Sequence, residues 1–301
     1  MMAALLTAAR GGGAAAPSAL DARRRPRRRL RRLLRHLFLL VFVLLMVYPL
    51  LWMVVSSFKP GELVLTQPGI VPEAVTLENY RFGWNALNEP FTHYLINSFL
   101  VAFGAILGNL FSCSLTAYAL ARLEFRARKA YFAIVLGSVM LPMHALVIPQ
   151  YIAFSELGFV NTYVPLLLPK FLATDAFFIF LLMQFIRTLP RELDQAAMID
   201  GASPFRIFWS VILPLLQPAL VTTAVFTFIW TWNDYFTPLI YLTQSEMYTV
   251  SVALKSLVDV QTSSGTGILF AMSLISLVPI FIFFITAQKY LVQGIATTGL
   301  K

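Results

Sequence analysis

The 301-residue chain has one cysteine, Cys113, in an apolar run, which excludes a disulfide framework or a cysteine-built metal cluster within one chain. Its three histidines, His36, His93 and His144, stand far apart, and none belongs to an HExxH pair, so no metal site is expected. No GxxxxGK[ST] phosphate loop occurs, so the chain cannot hydrolyse ATP in the P-loop manner by itself. Charge is scarce as well. Asp, Glu, Lys and Arg make up 12% of the residues and only 14 are acidic, which leaves little material for acid–base catalysis. No catalytic residue is expected, and no cofactor bound by this chain.

What the chain has in abundance is apolar surface: 58% hydrophobic residues and a mean hydropathy of +0.75, beyond what a soluble core needs. It reads as an all-α membrane protein. The runs Leu37–Val55, Phe99–Ala121, Tyr131–Ile152, Val164–Ile186, Leu220–Leu242 and Ile268–Ala287 each approach the ~20 residues a helix needs to cross ~30 Å of hydrocarbon. Barrel strands would instead alternate polar and apolar residues over about ten positions. Six transmembrane helices are therefore predicted over residues 37–301. Residues 1–36 form an Ala/Gly-rich and then Arg-rich leader that is expected to be disordered.

The pI of about 9.8 comes mostly from RRRPRRRLRRLLR, residues 23–35, directly before the first span. Such a block sets orientation and touches anionic lipid; no nucleic-acid partner is expected. With six spans both termini share a side. Nineteen Lys and Arg residues fall on that side and four on the other, Lys59, Arg81, Lys170 and Lys255, so both termini are placed in the cytoplasm.

The same count makes residues 189–216 cytoplasmic, and this stretch is oddly polar between two apolar runs. Pro190 suits a first helical position, Glu192 complements the positive helix end, and Gly201 suits a left-handed C′ position, which predicts a short helix from Pro190 to Asp200. Ser203 as N-cap and Pro204 at N1 start a second helix, with Phe205, Phe208, Trp209 and Ile212 as an apolar stripe along the membrane boundary. Pro214 and Pro218 predict a bend into the fifth span. Leu193, Ala196 and Ala197 give the first helix a face of small side chains that permits close approach. From physics alone, that helix either docks a partner or floats at the interface.

ELDQAAMIDGASPFRIFWSVILPLLQPAL resembles the EAA loop of ABC importer permeases. Gln195-Ala196-Ala197 precede Gly201 at the family's spacing, and Val211, Leu213 and Pro214 close the pattern; Gln195 replaces the signature Glu and Val211 the usual Ile. IDGASPFRIF, WNDYF and the tail QKYLVQGI resemble the carbohydrate branch of that family, of the maltose and glycerol-3-phosphate permease types. The resemblance spans residues 37–301. It implies a type I ABC importer permease fold with a cytoplasmic coupling helix, in the cell (inner) membrane of a bacterium or archaeon. The residues it assigns to ATPase coupling are Glu192, Gln195, Ala196, Ala197, Asp200, Gly201 and Arg206. The partners it implies are a second permease subunit forming a heterodimer, two ATP-binding subunits that use ATP and Mg, an extracytoplasmic solute-binding protein and the sugar itself. It also implies a C-terminal tail after Gly294 that reaches toward the ATPases.

Ionisable residues inside spans are functional candidates. Counting from Arg187 at ~1.5 Å per residue puts Asp175 about 18 Å and Lys170 about 25 Å from the cytoplasmic boundary. A spacing of five does not stack them on one helix face, so both either face a watery vestibule or line a substrate path. Trp230, Trp232, Asn233, Asp234 and Tyr235 form an aromatic and polar cluster suited to a sugar ring and its hydroxyls, or to an interfacial belt. Gly104 and Gly108, with Asn109, Ser112 and Ser114 nearby, read as a close helix-packing face.

The function expected is the membrane-spanning permease subunit of an ATP-driven importer of a mono-, di- or oligosaccharide. The alternatives are an ion-gradient-driven secondary transporter, a permease for glycerol phosphate or another polyol-like solute, and a non-transporting membrane scaffold.

Overall fold

Apolar runs surrounded by lipid fold as helices because every backbone N–H and C=O must find a partner within its own segment. The computed structural model describes residues 19–260 and 265–298, and among them only helices, turns and loops occur. Helix α1 (Ala19–Ser57) begins inside the leader that was expected to be disordered to residue 36. Arg and Leu are strong helix formers, and from Arg27 the basic run continues into the apolar span without a break; the helix extends past Pro26 to Ala19. Residues 1–18, the rest of that expectation, lie outside the described residues. The chain divides between Met53 and Val54 into two units.

In the loop after α1 lie α2 (Gly61–Thr66) and α3 (Glu78–Gly83). A buried lysine organises this loop. Lys59 donates its Nζ to the carbonyls of Gln67 at 2.7 Å and Gly69 at 2.5 Å, while Asn79 Nδ2 donates to the Ser57 and Lys59 carbonyls.

Helix α4 (Phe91–Arg122) runs 32 residues without a proline, roughly 48 Å at 1.5 Å per residue. It is followed by α5 (Arg128–Ser138), α6 (Met143–Glu156), α7 (Val164–Phe171) and α8 (Ala176–Thr188). The expected six spans appear only in part. Among the described residues four helical stretches are long and apolar enough to cross a membrane, Arg31–Ser57, Phe91–Arg122, Val164–Thr188 and Thr266–Lys289, and a fifth if a bent pair is taken as one span. The run Tyr131–Ile152 is the difference: it falls into α5 and α6, of 11 and 14 residues, with Pro142 between them. Proline disfavours helical backbone in the residue before it, so the run breaks there.

The polar loop holds α9 (Glu192–Ile199) and α10 (Pro204–Ile207). A π-helical turn over Phe208–Ile212 and α11 (Leu213–Leu215) lead to α12 (Gln217–Asn233). The segment Pro204–Leu215 meets α12 at 78°, the bend expected from Pro214 and Pro218, which remove backbone donors on both sides of it. Then come α13 (Phe236–Tyr241), a 3-10 turn at Ser245–Met247, α14 (Val250–Val260) and α15 (Thr266–Thr298).

Helix α4 sits at the centre, packed against α7, α8 and α12; α15 packs on α12 and shares buried clusters with α4. The close packing expected of Gly104 and Gly108 is present. A Cβ on Gly104 would lie 2.8 Å from Leu167 Cδ2, and one on Gly108 would lie 3.0 Å from the Lys170 carbonyl carbon. Below this contact Cys113, Ala117, Leu182, Ile186, Phe208 and Ile212 fill one buried core that joins α4 and α8 to the polar loop.

Candidate functional site

The short helix α9 is closed by its backbone. The Ala202 N–H donates to the Ala197 carbonyl at 2.9 Å and the Gly201 N–H to the Met198 carbonyl at 3.0 Å, the paired bonds of a Schellman ending. Gly201 has φ +77°, the left-handed backbone such an ending requires and one that other residues adopt at a cost of roughly 1–2 kcal/mol. Ser203 Oγ accepts the Arg206 N–H at 3.4 Å, so the second helix starts at the expected cap. The two helices thus meet through a fixed turn.

Of the coupling residues expected here, Glu192, Gln195, Ala196, Asp200, Gly201 and Arg206 are exposed and Ala197 is half-buried. Met198 and Ile199 are also open, Ile199 at 87% exposure, so α9 offers an apolar tip as well as carboxylates. The expected stripe on the second helix splits. Phe208 and Ile212 enter the core, while Phe205 and Trp209 stack on each other outside, ring centroids 6.4 Å apart. Phe205 to Trp209 and Phe208 to Ile212 are each one turn apart, so the five-residue π turn leaves two edges rather than one stripe.

One residue of α9 points the other way. Asp194 is buried, its Oδ2 3.1 Å from Arg122 Nε, with side-chain exposures of 9% and 6%. Arg122 Nη2 also donates to the Leu189 carbonyl at 2.7 Å, just before α9. Tyr118, one turn earlier on α4, donates its hydroxyl to the Pro204 carbonyl at 3.1 Å. Arg128 closes the end of α4 by donating to the Leu120 and Ala121 carbonyls. This junction was not identified in the sequence, where Arg122 counted only toward orientation. Nothing in the sequence sets Asp194 apart from the exposed Glu192 and Asp200 of the same predicted helix, so the junction had no local signal.

Higher along α4, Lys170 and Asp175 come together, which their spacing on one helix did not suggest. Their spacing of five prevents pairing on a continuous helix, but the helix is interrupted: α7 ends at Phe171, Ala173 takes φ +55°, and α8 starts at Ala176. Lys170 Nζ reaches Asp175 Oδ2 at 2.8 Å, each side chain about a quarter exposed. Asn109 Nδ2 donates to the same Asp175 oxygen at 2.7 Å and to Thr227 Oγ1 on α12 at 3.1 Å. Ser112 Oγ donates to the Lys170 carbonyl at 2.6 Å. One polar knot therefore joins α4, the broken α7–α8 pair and α12.

The aromatic cluster does not converge on one spot. Trp232 is buried, its indole N–H donating to the Ser276 carbonyl at 3.1 Å and its ring against Phe99 and Phe228. Trp230 is half exposed and packs on Phe177 and Phe178, two and three residues beyond Asp175. Asn233 is exposed and bonds back to the Ile229 carbonyl. Asp234 Oδ1 accepts the Thr237 N–H at 3.1 Å as α13 begins, and Tyr235 is half-buried beside it.

Comparison with known proteins gives a consistent picture. The family model described as "binding-protein-dependent transport system inner membrane component" matches residues 14–297. The trehalose/maltose transport system permease protein MalG of Thermococcus litoralis is 36% identical over 258 residues, 85% of this chain and 91% of that one. The arabinooligosaccharides transport system permease protein AraQ of Halalkalibacterium halodurans is 33% identical over 259 residues, again 85% and 91%. Among solved structures, a bacterial ABC transporter involved in the import of the acidic polysaccharide alginate has a chain that matches with a TM-score of 0.78. That match is at 24% identity and covers 87% of this chain and 97% of that one.

Proposed function

Because the chain belongs to the family of binding-protein-dependent transport system inner membrane components, we propose that it is one permease subunit of an ATP-driven sugar importer and that α9 is its coupling helix. The observation that carries this reading is the rigid, exposed helix-turn-helix between two apolar helices. Its Schellman turn and Ser203 cap fix the geometry of α9, while Met198 and Ile199 stand open where a free-standing loop would hide them. A floppy connection would dissipate the motion of a docked ATPase; this one passes it on.

In this reading, two ATP-binding subunits supply the energy and use the ATP and Mg. A second permease subunit completes a heterodimer, an extracytoplasmic binding protein delivers the sugar, and both termini and α9 face the cytoplasm. Tyr131–Ile152 completes a sixth span as a broken pair. Glu192 supplies negative charge one turn before Gln195, which replaces the family's Glu. The half-open Lys170–Asp175 pair with Trp230 and Phe177 beside it supplies polar groups and an aromatic face for sugar hydroxyls and rings, with Asn233, Asp234 and Tyr235 farther along the path. Trp232 positions α12 against α15 rather than touching sugar. The substrate is a sugar of the size carried by the relatives, a disaccharide or short oligosaccharide.

The test is co-purification with ATP-binding subunits and uptake of labelled maltose, trehalose and arabino-oligosaccharides into vesicles. Uptake is expected to stop on ATP depletion and to survive an uncoupler; the reverse pattern identifies an ion-gradient transporter instead. Gly201→Asp and Ala197→Asp are expected to lower uptake at least tenfold. Wild-type uptake in both would overturn the role of α9.

A further inference from the structure

Helix α9 is joined to the membrane helices by covalent routes of unequal stiffness. Backward, three residues connect it to α8. Forward, the route to α12 passes a π turn and a 78° bend, where side-chain packing rather than a continuous helix must carry any force. Sideways lies a third contact that chain order does not reveal: the Asp194–Arg122 pair, the Arg122–Leu189 bond and the Tyr118–Pro204 bond, all gripping the last turns of α4.

We propose that α4 receives the stroke of the docking helix through this grip, with Arg122 and Asp194 as positioning residues that carry the displacement of α9 to the polar knot around Asn109. The inference rests on the reading of α9 as the ATPase-coupling helix. Asp194 is covered, so it is not part of the docking face. A buried pair resists separation, because parting it strands two charges with no water to receive them. Helix α4 then runs unbroken from Arg122 to Asn109, about 20 Å at 1.5 Å per residue. At Asn109 it holds both Asp175, at the break in the fourth apolar stretch, and Thr227 on α12. A shift of α4 along its axis therefore reaches the Lys170–Asp175 pair and α12 at the same moment. The pair is also incompletely bonded, since Arg122 Nε and Asp194 Oδ1 are both buried with no hydrogen-bond partner. The contact is thus held by charge and packing, and it can tilt without breaking.

The test uses the assembled complex with its ATP-binding subunits in lipid nanodiscs, trapped with ATP and orthovanadate so that no sugar need be known. Spin labels at Leu107 on α4 and Ile285 on α15, in a Cys113→Ala background, report the movement of α4. Trapping is expected to change the label distance. Asp194→Asn and Arg122→Gln should each reduce that change at least threefold while the ATP-binding subunits still co-purify and trap vanadate. The exchanged pair, Arg122→Asp with Asp194→Arg, should restore at least half of it. A native-sized change in both single variants overturns the proposal, as does an α4 that does not move in the native complex. If the single variants fail to assemble, Arg122→Cys with Asp194→Cys closed by a short thiol-reactive linker decides. A restored change supports the grip, and an assembled, cross-linked complex without it refutes the proposal. Failure of the chain to bind ATP-binding subunits at all would instead refute the coupling reading, so the two failures are distinct.

Discussion

The Arg122–Asp194 pair at the end of α4 and the Lys170–Asp175 pair near its middle have similar separations, 3.1 Å and 2.8 Å, yet their surroundings differ. The first is nearly sealed, at 6% and 9% exposure, and ties two elements that are 72 positions apart in sequence. The second is open by about a quarter and lies within one interrupted helix, its carboxylate shared with Asn109. Sealing makes a pair hard to part, because removal of one partner leaves a charge with neither water nor counter-ion. Partial opening makes a pair exchangeable, because another polar group can take over one bond as it is released. The same chemistry thus gives a strut in one place and a contact able to change partners in the other.

The comparison breaks if the two pairs respond alike to mutation. The largest effect is expected from Arg122→Ala, which strands Asp194 and should lower the stability of the assembled complex by about 3–5 kcal/mol. Thermal unfolding in detergent reads this, and Arg122→Met combined with Asp194→Leu should recover most of the loss. Asn109→Leu comes next at about 1–3 kcal/mol, because the fully buried Thr227 hydroxyl loses its partner. Lys170→Met should lose only about 1–2 kcal/mol, since Asp175 keeps its bond to Asn109. Its larger signature should be in sugar uptake. Equal unfolding shifts for Arg122→Ala and Lys170→Met would erase the distinction between the pairs. The smallest effect is expected at Gly137→Ala in α5, within about 1 kcal/mol, because a Cβ there meets nothing within 4 Å. It provides the baseline at a position where an added side chain touches neither pair.

Much of the frame was legible in the sequence, for local reasons. The cap at Ser203, the left-handed glycine at 201 and the bend at Pro214 and Pro218 each depend on backbone geometry that a few neighbouring residues impose. The helical nature of the apolar runs follows from hydrogen bonding in lipid and needs no tertiary knowledge. What stayed hidden was non-local. The grip of Arg122 on Asp194 joins residues on different elements, and charge counting sees only a sum. The pairing of Lys170 with Asp175 was hidden by the assumption that an apolar run is one helix; the reversal at Ala173 supplies the missing rotation. The break in Tyr131–Ile152 is signalled by Pro142, although the run's length alone fits one span. Trp230 and Trp232, adjacent in a polar-aromatic word, face different neighbours because a helix turns them about 200° apart.

The interruption between α7 and α8 bears on how the protein is made. A helix broken inside hydrocarbon has carbonyls with no donor of its own, and lipid offers none. Here the carbonyl of Lys170 is bonded by Ser112, on a helix that was synthesised earlier. Ser112 thus gives one freed carbonyl of the broken segment a donor that lipid would not supply, and it does so only with α4 in place.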